Sequence, residues 1–427
     1  MFPSHPDVLC FSHLPWDLVF QRPNHLMSRA ARDRRVFYVE EPVDAARPGL
    51  SMRVREGGVV VVTPGIPARI GDSARETLLR VLVDTVIETE RIVRPRLWYY
   101  TPRALRWTRH IESAAVVYDC MDELSAFRNA PPDLRGLELE LLARADVVFT
   151  GGHRLYEAKR GSHPDVHPFP SAVDVGHFLA ARRSTTDPAD QAKLRRPRIG
   201  YYGVIDERLD LGLVDATARR HPEWSVILVG PVAKIDVADI PDLPNVHWLG
   251  PKPYADLPAY LGGWDVAIMP FARNAATEFI SPTKTPEYLA GGRPVVSTSI
   301  ADVVRPYGEL GLARIADEPN DFIAAIEAAL ADDSASHLAA ADSFLVRMSW
   351  DRTWQAMDAL AARAERRRAA KPAQAPAPTP SPVRTPVRMP TPVRSSVPPL
   401  RSLSRAGDTS RAATSVATPT APRGRVE

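Results

Sequence analysis

Cysteine is scarce in this 427-residue sequence, which contains only Cys10 and Cys120. Each lies in a short apolar run typical of a buried strand, where a free thiol is commoner than a disulfide or a metal ligand. No run approaches the roughly 20 apolar residues that a membrane-spanning helix needs. The first residues, MFPSHPDVLCFSHLPW, have no basic stretch followed by an apolar one. We therefore expect no signal peptide and a cytoplasmic protein.

A large net charge is also missing, since the whole chain carries only +3. Residues 371–427 contain nine basic and two acidic residues, a balance of +7, so the rest of the chain carries −4. The same segment holds 12 of the 42 prolines and almost no residues that could form a core, so we expect it to be disordered. Its charge predicts a solvated tail, a weak peripheral contact with the inner face of an anionic membrane, or a contact with an acidic partner. The body has no basic excess that would indicate nucleic-acid binding.

Short β-branched runs alternate with helical patterns through the body, as they do in parallel sheets covered by helices. We predict an α/β protein with two doubly wound, Rossmann-like domains that face a cleft. The predicted parts are a first domain (1–175), a linker (176–197), a second domain (198–345), a helix within 346–370 that packs back on the first domain, and the tail (371–427). In such sheets ligands bind beyond the carboxyl ends of the strands.

One such strand end leads into the segment SPTKTPEYLAGGRPVVST, residues 281–298. Ser281 or Thr283 could cap a helix, and Pro282 suits its first turn. Free amides at that helix start, together with Lys284, would attract a diphosphate. Glu287 lies on the same helical face, where a carboxylate could accept hydrogen bonds from a ribose diol. The alternative is a capped helix whose lysine and glutamate are only solvated.

This segment resembles the donor site of nucleotide-sugar glycosyltransferases with the GT-B fold, especially bacterial family 1-type and family 4-type enzymes that make surface polysaccharides. GYYGVIDERLDLGLV resembles the start of the family's C-terminal domain. CFSHLPWDLVFQRPNHLMSRAARDRRVFYVEEP and VVYDCMDELSAF resemble a subgroup found beside, or fused to, galactofuranose-related enzymes. The similarity extends over roughly residues 6–365.

The resemblance implies a donor-binding role for several residues of the second domain. Glu287 corresponds to the glutamate that binds the donor ribose. Lys284 and the amides around Ser281 and Thr283 correspond to the diphosphate site. Arg208 corresponds to a basic residue that neutralises the leaving diphosphate, although a surface arginine is the alternative.

The resemblance also assigns the segment from Gly250 to Tyr254 to the loop that lines the nucleobase. One feature departs from the family pattern. Retaining families show two glutamates that bracket seven residues, whereas Glu278 and Glu287 bracket eight and Phe279 occupies the expected first position. The stereochemistry of transfer therefore stays open.

An inverting reaction would need a base on the acceptor side. Polar residues that follow the strands of the first domain are the candidates: His13, Asp17, Asp119, Asp122 and Glu123. Of these we single out His13, Asp119 and Asp122 as candidate catalytic residues. Trp16 and Arg22 could bind the acceptor through a sugar-stacking face and a phosphate contact. Each of these residues has a simpler interpretation as a loop or capping residue.

The resulting hypothesis is a glycosyltransferase that moves a sugar from a nucleoside diphosphate sugar to a glycan or lipid-linked acceptor. No Asp-x-Asp motif follows a strand, so we expect no metal and no other cofactor. A non-hydrolysing nucleotide-sugar epimerase and a catalytically silent nucleotide-sugar-binding protein are the alternatives. The loop SHLPWDLVFQRP favours transfer. Sugar, base, acceptor, linkage and oligomeric state stay open.

Overall fold

The computed structural model describes residues 5–183, 186–332 and 334–370. Within them the chain forms two separate, mainly parallel sheets with helices packed on their faces, as the sequence predicts. Both sheets belong to one compact unit of the chain. The tail, 371–427, and the disorder and membrane contact expected of it lie outside the described residues.

The first domain is built on a nine-stranded sheet with the order β3-β5-β2-β1-β6-β7-β8-β9, and β4 pairs antiparallel with β5. Its strands are β1 (Val8–Phe11), β2 (Val36–Val39), β3 (Val43–Asp44), β4 (Gly49–Val54), β5 (Val60–Ile66), β6 (Arg96–Tyr99), β7 (Ala115–Cys120), β8 (Val147–Thr150) and β9 (Val166–Pro168). Its α-helices are α1 (Arg22–Ala30), α2 (Asp72–Thr89), α3 (Leu105–Thr108), α4 (Leu134–Arg144) and α5 (His153–Lys159). Pro23 lies in the first turn of α1, where its missing N–H costs no hydrogen bond.

The second domain is built on a six-stranded parallel sheet with the order β12-β11-β10-β13-β14-β15. Its strands are β10 (Arg198–Tyr202), β11 (Ser225–Val229), β12 (Val246–Trp248), β13 (Val266–Met269), β14 (Val295–Ser297) and β15 (Arg314–Ile315). The α-helices from the end of the first domain onward are α6 (Val175–Phe178), α7 (Leu211–Arg220), α8 (Leu257–Gly262), α9 (Lys284–Ala290), α10 (Ala301–Val303), α11 (Pro319–Ala331), α12 (Ser334–Leu345) and α13 (Trp350–Ala370). The central strands β10, β11 and β13 are buried along their whole length, as strands covered on both faces must be.

The segment predicted as a linker, 176–197, is packed against the second domain. Phe178 and Ala181 are buried in the same hydrophobic cluster as the strands of the second sheet. Further along, Gln191 is fully buried, and its side-chain oxygen accepts a hydrogen bond from the indole N–H of Trp264 at 2.9 Å. The hydrophilic composition of this stretch reflects its exposed residues and gives no sign of these buried anchors.

Helix α13 returns to the first domain. Trp350, Trp354 and Met357 are buried in the cluster that also contains residues of β1, β2 and β6. Asp358 on the same helix forms ion pairs with Arg34 at 2.9 Å and with Arg96 at 2.6 Å. Apolar packing and buried charge pairing therefore both attach α13 to the sheet.

Two further expectations concern the cysteines and the membrane. Cys10 and Cys120 are free thiols, and both are buried in strands of the first sheet. Among the described residues no helix combines the length and the hydropathy that crossing a bilayer requires.

Candidate active site

The carboxyl ends of the central strands of both sheets face a shared cleft that contains two adjoining cavities. The large cavity has a volume of about 600 Å³ and is lined by residues 16–21 of the first domain and by loops of the second domain. The small cavity has a volume of about 100 Å³. Gln21, Arg208, Thr283 and Lys284 line both cavities. The cleft is therefore a single site with charged groups where the two cavities meet.

The segment that starts at Ser281 enters helix α9 differently from the prediction. The helix begins at Lys284, so Pro282 precedes it instead of lying in its first turn. Thr283 occupies the N-cap position, but its backbone is already helical and its side chain makes no capping hydrogen bond. Its hydroxyl instead stabilises the charged form of Glu287. The carbonyl of Ser281 accepts a hydrogen bond from the Ser171 hydroxyl of the first domain at 2.7 Å.

Glu287 lies in the large cavity with only 5% of its surface exposed. The Tyr202 hydroxyl donates a hydrogen bond to its Oε2 at 2.8 Å. Burial raises the pKa of Glu287, because a charged carboxylate loses its water, and the Tyr202 hydrogen bond and Lys284 oppose that rise. Because an ionised carboxylate has about four acceptor positions, Glu287 can still accept hydrogen bonds from a ligand in the cavity.

Lys284 is the cation at the junction of the two cavities. Its ammonium group lies 5.7 Å from the ring centre of Tyr201 and 5.9 Å from that of Phe271. It forms no ion pair with any described carboxylate. Burial lowers the pKa of Lys284, and the nearby Arg208 lowers it further. The carboxylates of Glu287 and Asp206 act on this partly buried ammonium group without forming an ion pair with it, so it can still attract an anionic ligand.

Gly203 makes room for Lys284, and the sequence prediction did not include it. A Cβ atom at this position would lie 2.2 Å from Lys284 Cε. Its φ of +143° also favours glycine. Gly230 has the same φ after the neighbouring strand, and its Cβ would lie 1.9 Å from the carbonyl oxygen of Gly203. The sequence did offer a sign of this close packing, because a glycine directly follows each of these two buried strands.

Arg208 also faces both cavities, but it is already paired within its own loop. Its guanidinium binds both carboxylate oxygens of Asp206 at 2.7–3.0 Å. Asp206 is buried, and it raises the pKa of Arg208 against the opposing effect of burial. This pairing fixes the orientation of the guanidinium, and a quarter of the side chain stays exposed at the cleft.

The predicted nucleobase loop lies in part at the large cavity. Residues 251–254 line this cavity, whereas Gly250 does not. Gly250 has a φ of +72°, and its carbonyl accepts a hydrogen bond from the Gly230 amide at 2.9 Å. The ring of Tyr254 stacks on His177 with centroids 4.3 Å apart. The buried hydroxyl of Tyr254 has no hydrogen-bond partner among the described residues.

Asp119, predicted as a candidate base, lies away from both cavities. It is fully buried, and its carboxylate pairs with the guanidinium of Arg22 at 2.9 Å. Burial raises the pKa of Asp119, and Arg22 opposes the rise. Arg22 itself, predicted to bind the acceptor, is 2% exposed and reaches the wall of the small cavity. Asp119 therefore orients Arg22 at the small cavity, and Asp119 itself has no access to an acceptor.

Asp122, in contrast, lines the small cavity together with Lys284. Burial raises the pKa of Asp122, and Arg208 is the strongest opposing influence. His13 lines neither cavity, and burial lowers its pKa to about 4, which keeps the imidazole neutral at physiological pH. Trp16 is buried and lines the large cavity. Of the predicted acidic candidates, Asp122 is therefore the one that lines the small cavity beside Lys284 and Arg208.

The two other acidic candidates are both engaged in ion pairs, and Asp17 also lines the large cavity. Glu123 pairs with Lys159 at 2.6 Å, and Asp17 pairs with Arg55 at 2.5 Å. In the part of the chain that the structure describes, no group of three or more His, Cys, Asp and Glu side chains is arranged to hold a metal ion.

Two contacts across the cleft tie the second domain to helix α5. Glu278 pairs with Arg154 at 2.6 Å. The carboxylate of Asp302 accepts hydrogen bonds from the amides of His153 and Arg154 at 2.8 and 3.0 Å. Glu278, whose spacing from Glu287 departs from the family pattern, is thus part of the interface between the domains.

Known proteins resemble the second domain in sequence, and they resemble most of the chain in fold. Residues 196–332 match the family model described as glycosyl transferases group 1. A Bacillus subtilis protein named as a teichuronic acid biosynthesis glycosyltransferase, TuaH, is 28% identical over 255 residues. The match covers 55% of this chain and 63% of that relative, so the chain spans less than two thirds of its length.

Solved structures with similar folds cover most of the chain at low sequence identity. Sucrose-phosphate synthase from Thermosynechococcus elongatus is 13% identical and has a TM-score of 0.62, over 84% of this chain and 99% of that one. An alpha,alpha-trehalose-phosphate synthase from Burkholderia vietnamiensis is 16% identical with a TM-score of 0.59, over 84% and 100%. Anabaena Alr3699/HepE in complex with UDP and glucose is 17% identical with a TM-score of 0.57, over 83% and 98%. The predicted GT-B fold is confirmed.

Proposed function

We propose that this chain transfers a sugar from a nucleoside diphosphate sugar to a glycan or lipid-linked acceptor in surface polysaccharide synthesis. The chain has the GT-B fold, and its residues 196–332 match the family model described as glycosyl transferases group 1. The observation that carries the proposal is the placement of Lys284 and Glu287 on one turn of α9, both facing the large cavity. One is a partly buried cation that forms no ion pair among the described residues, and the other is a carboxylate that can accept further hydrogen bonds. A nucleoside diphosphate carries the matching pair of groups, a diphosphate and a ribose diol.

The chemistry of transfer needs charge stabilisation at this junction. When the glycosidic bond breaks, negative charge grows on the departing diphosphate, and a fixed cation in a site from which water is largely excluded lowers the barrier. Lys284 supplies a positive charge that forms no ion pair among the described residues, and Arg208, oriented by Asp206, supplies further N–H donors. We propose that these two groups do the work of a metal ion, so that the reaction needs neither metal nor other cofactor.

Asp122 is the group that we assign to the acceptor side. Its carboxylate lines the small cavity opposite the second-domain residues, and burial raises its pKa toward the range useful to a proton acceptor. The neighbouring Arg22 would contact the acceptor or the transferred sugar. We further propose that the basic segment 371–427 holds the enzyme near anionic membrane, where a lipid-linked acceptor would be found.

The direct test is a panel of nucleoside diphosphate sugars scored for release of nucleoside diphosphate, with and without membrane extract. We expect release from one donor class, with stimulation by extract that contains the acceptor. Formation of a changed sugar nucleotide without any acceptor would instead identify an epimerase. Binding without release under every condition would identify a silent binding protein.

Replacing Glu287 by glutamine should weaken the binding of that donor by about 1–3 kcal/mol. The amide keeps the shape of the side chain and can still accept from Tyr202, but it is uncharged and an NH2 group replaces one oxygen, so it is a poorer acceptor for a ribose diol. Isothermal titration with the donor measures the loss. Glu309→Gln, on an exposed side chain paired with Arg305, is the matched control and should bind normally. Normal donor affinity of Glu287→Gln would exclude the ribose role.

A further inference from the structure

The first domain contributes one continuous loop, residues 16–21, to the wall of the large cavity. This loop carries two exposed apolar side chains, Leu18 and Phe20, which are 55% and 38% exposed. Large apolar groups at the mouth of a polar cleft often mark a binding surface. The second domain holds the groups assigned above to the ribose and diphosphate, so the role of this loop is a separate question.

The loop is held in place by hydrogen bonds to its own domain. The Trp16 amide donates to Glu40 Oε1 at 2.7 Å, and the Trp16 carbonyl accepts from Asn24 Nδ2 at 2.9 Å. At the other end, the Gln21 amide donates to Asn24 Oδ1 at 3.0 Å. Because both ends are fixed, Phe20 is presented to the cavity by a pre-organised backbone.

The ring of Phe20 crosses the domain boundary and stacks on Tyr254. The two centroids are 4.6 Å apart with an angle of 29° between the ring planes. His25 packs edge-on against Phe20 at 4.7 Å, and His177 stacks on Tyr254 at 4.3 Å. These contacts fix the orientation of Phe20 while more than a third of the side chain stays exposed.

Phe20 and the charged groups line different parts of the cleft. Phe20 lines the large cavity only, whereas Lys284 and Arg208 also line the small one. A nucleotide sugar contains one flat, weakly polar group, its nucleobase. An oriented aromatic ring suits a base in a stacking or edge contact, and it offers nothing to a diphosphate or a sugar hydroxyl.

We propose that Phe20 is a base-recognition residue contributed by the first domain, and that the nucleobase of the donor packs against its exposed surface beside Tyr254. The inference rests on the proposed function, since it assumes a nucleoside diphosphate donor. It adds that base binding requires both domains: the Phe20–Tyr254 stack forms only when the first domain lies against the second. The domain that carries the acceptor side therefore also takes part in donor selection.

Phe20→Ala tests this inference through two probes that differ only in whether a nucleoside is present. Isothermal titration with UDP, ADP and GDP identifies the nucleoside diphosphate that the unmodified protein binds best, and inorganic pyrophosphate reports on the phosphate site alone. We expect Phe20→Ala to weaken binding of that nucleoside diphosphate about tenfold and to leave pyrophosphate affinity unchanged. Phe20→Tyr, which keeps the ring, should bind as the unmodified protein does.

Val81→Ala is the matched control, because Val81 is an exposed apolar side chain, 54% exposed, on helix α2. A melting temperature equal to that of this control shows that Phe20→Ala is folded. Equal weakening of both probes would show that Phe20 only supports the fold of the cleft, and unchanged binding of both would remove it from the site. Either result overturns the inference. If the unmodified protein binds pyrophosphate but no nucleoside diphosphate, the proposed function itself fails.

Discussion

Replacement of Lys284 by alanine should reduce the rate of nucleoside diphosphate release by about 100- to 1,000-fold. Lys284 forms no ion pair among the described residues, although Glu287 and Asp206 act on it electrostatically, whereas Arg208 is paired directly with Asp206. The charge of Lys284 is therefore more available than that of Arg208 to the diphosphate in the transition state. Removing it takes away stabilisation that grows as the bond breaks, so the rate constant should fall more than the donor affinity.

Steady-state kinetics with the donor found in the panel measures this effect, with Lys193→Ala as the control. Lys193 is an exposed lysine in the segment 176–197 that packs against the second domain, and its replacement should leave the rate unchanged. The Lys284→Ala protein should not be less stable, because burial disfavours the charged form of the lysine. A loss below threefold would place the leaving diphosphate elsewhere in the cleft.

The order of domains and strands could be predicted because it depends on local pattern. The runs SVILV and VAIM are apolar except for the first serine, which indicates strands buried on both faces. The rule that ligands bind at strand ends then points directly to the cleft. Lys284 and Glu287 were found for the same reason. Three residues apart on one helix, they must share a face whatever the rest of the fold does.

The parts of the site that depend on contacts distant in sequence could not be predicted. Tyr202 and Glu287 are 85 residues apart, and nothing local shows that they pair. The same holds for Asp119, which was predicted to follow a strand but lies within β7, and whose partner Arg22 is 97 residues away. Polar residues near a strand end can face the cleft, as Asp122 does, or lie buried within the sheet, and sequence position alone does not distinguish the two.

Asp119→Ala should destabilise the first domain by about 3–5 kcal/mol, the cost of leaving one buried charge without its partner. Arg22 is 2% exposed, and without Asp119 its remaining polar contacts would be the Phe169 carbonyl at 2.7 Å and the Met357 sulfur at 3.8 Å. Neither neutralises a guanidinium. Thermal and denaturant unfolding followed by circular dichroism should show the first domain unfolding well before the second.

Two variants separate the loss of pairing from the loss of a side chain. Asp33→Ala removes an exposed carboxylate from Arg34, which keeps its ion pair with Asp358, so it should cost less than about 1 kcal/mol. Changing Arg22 and Asp119 together to leucine removes both charges and should restore much of the stability lost in Asp119→Ala. If the double variant is as unstable as Asp119→Ala, the unpaired charge is not the cause. In that case the role of Asp119 is packing at the end of β7, and Arg22 is oriented at the small cavity by other contacts.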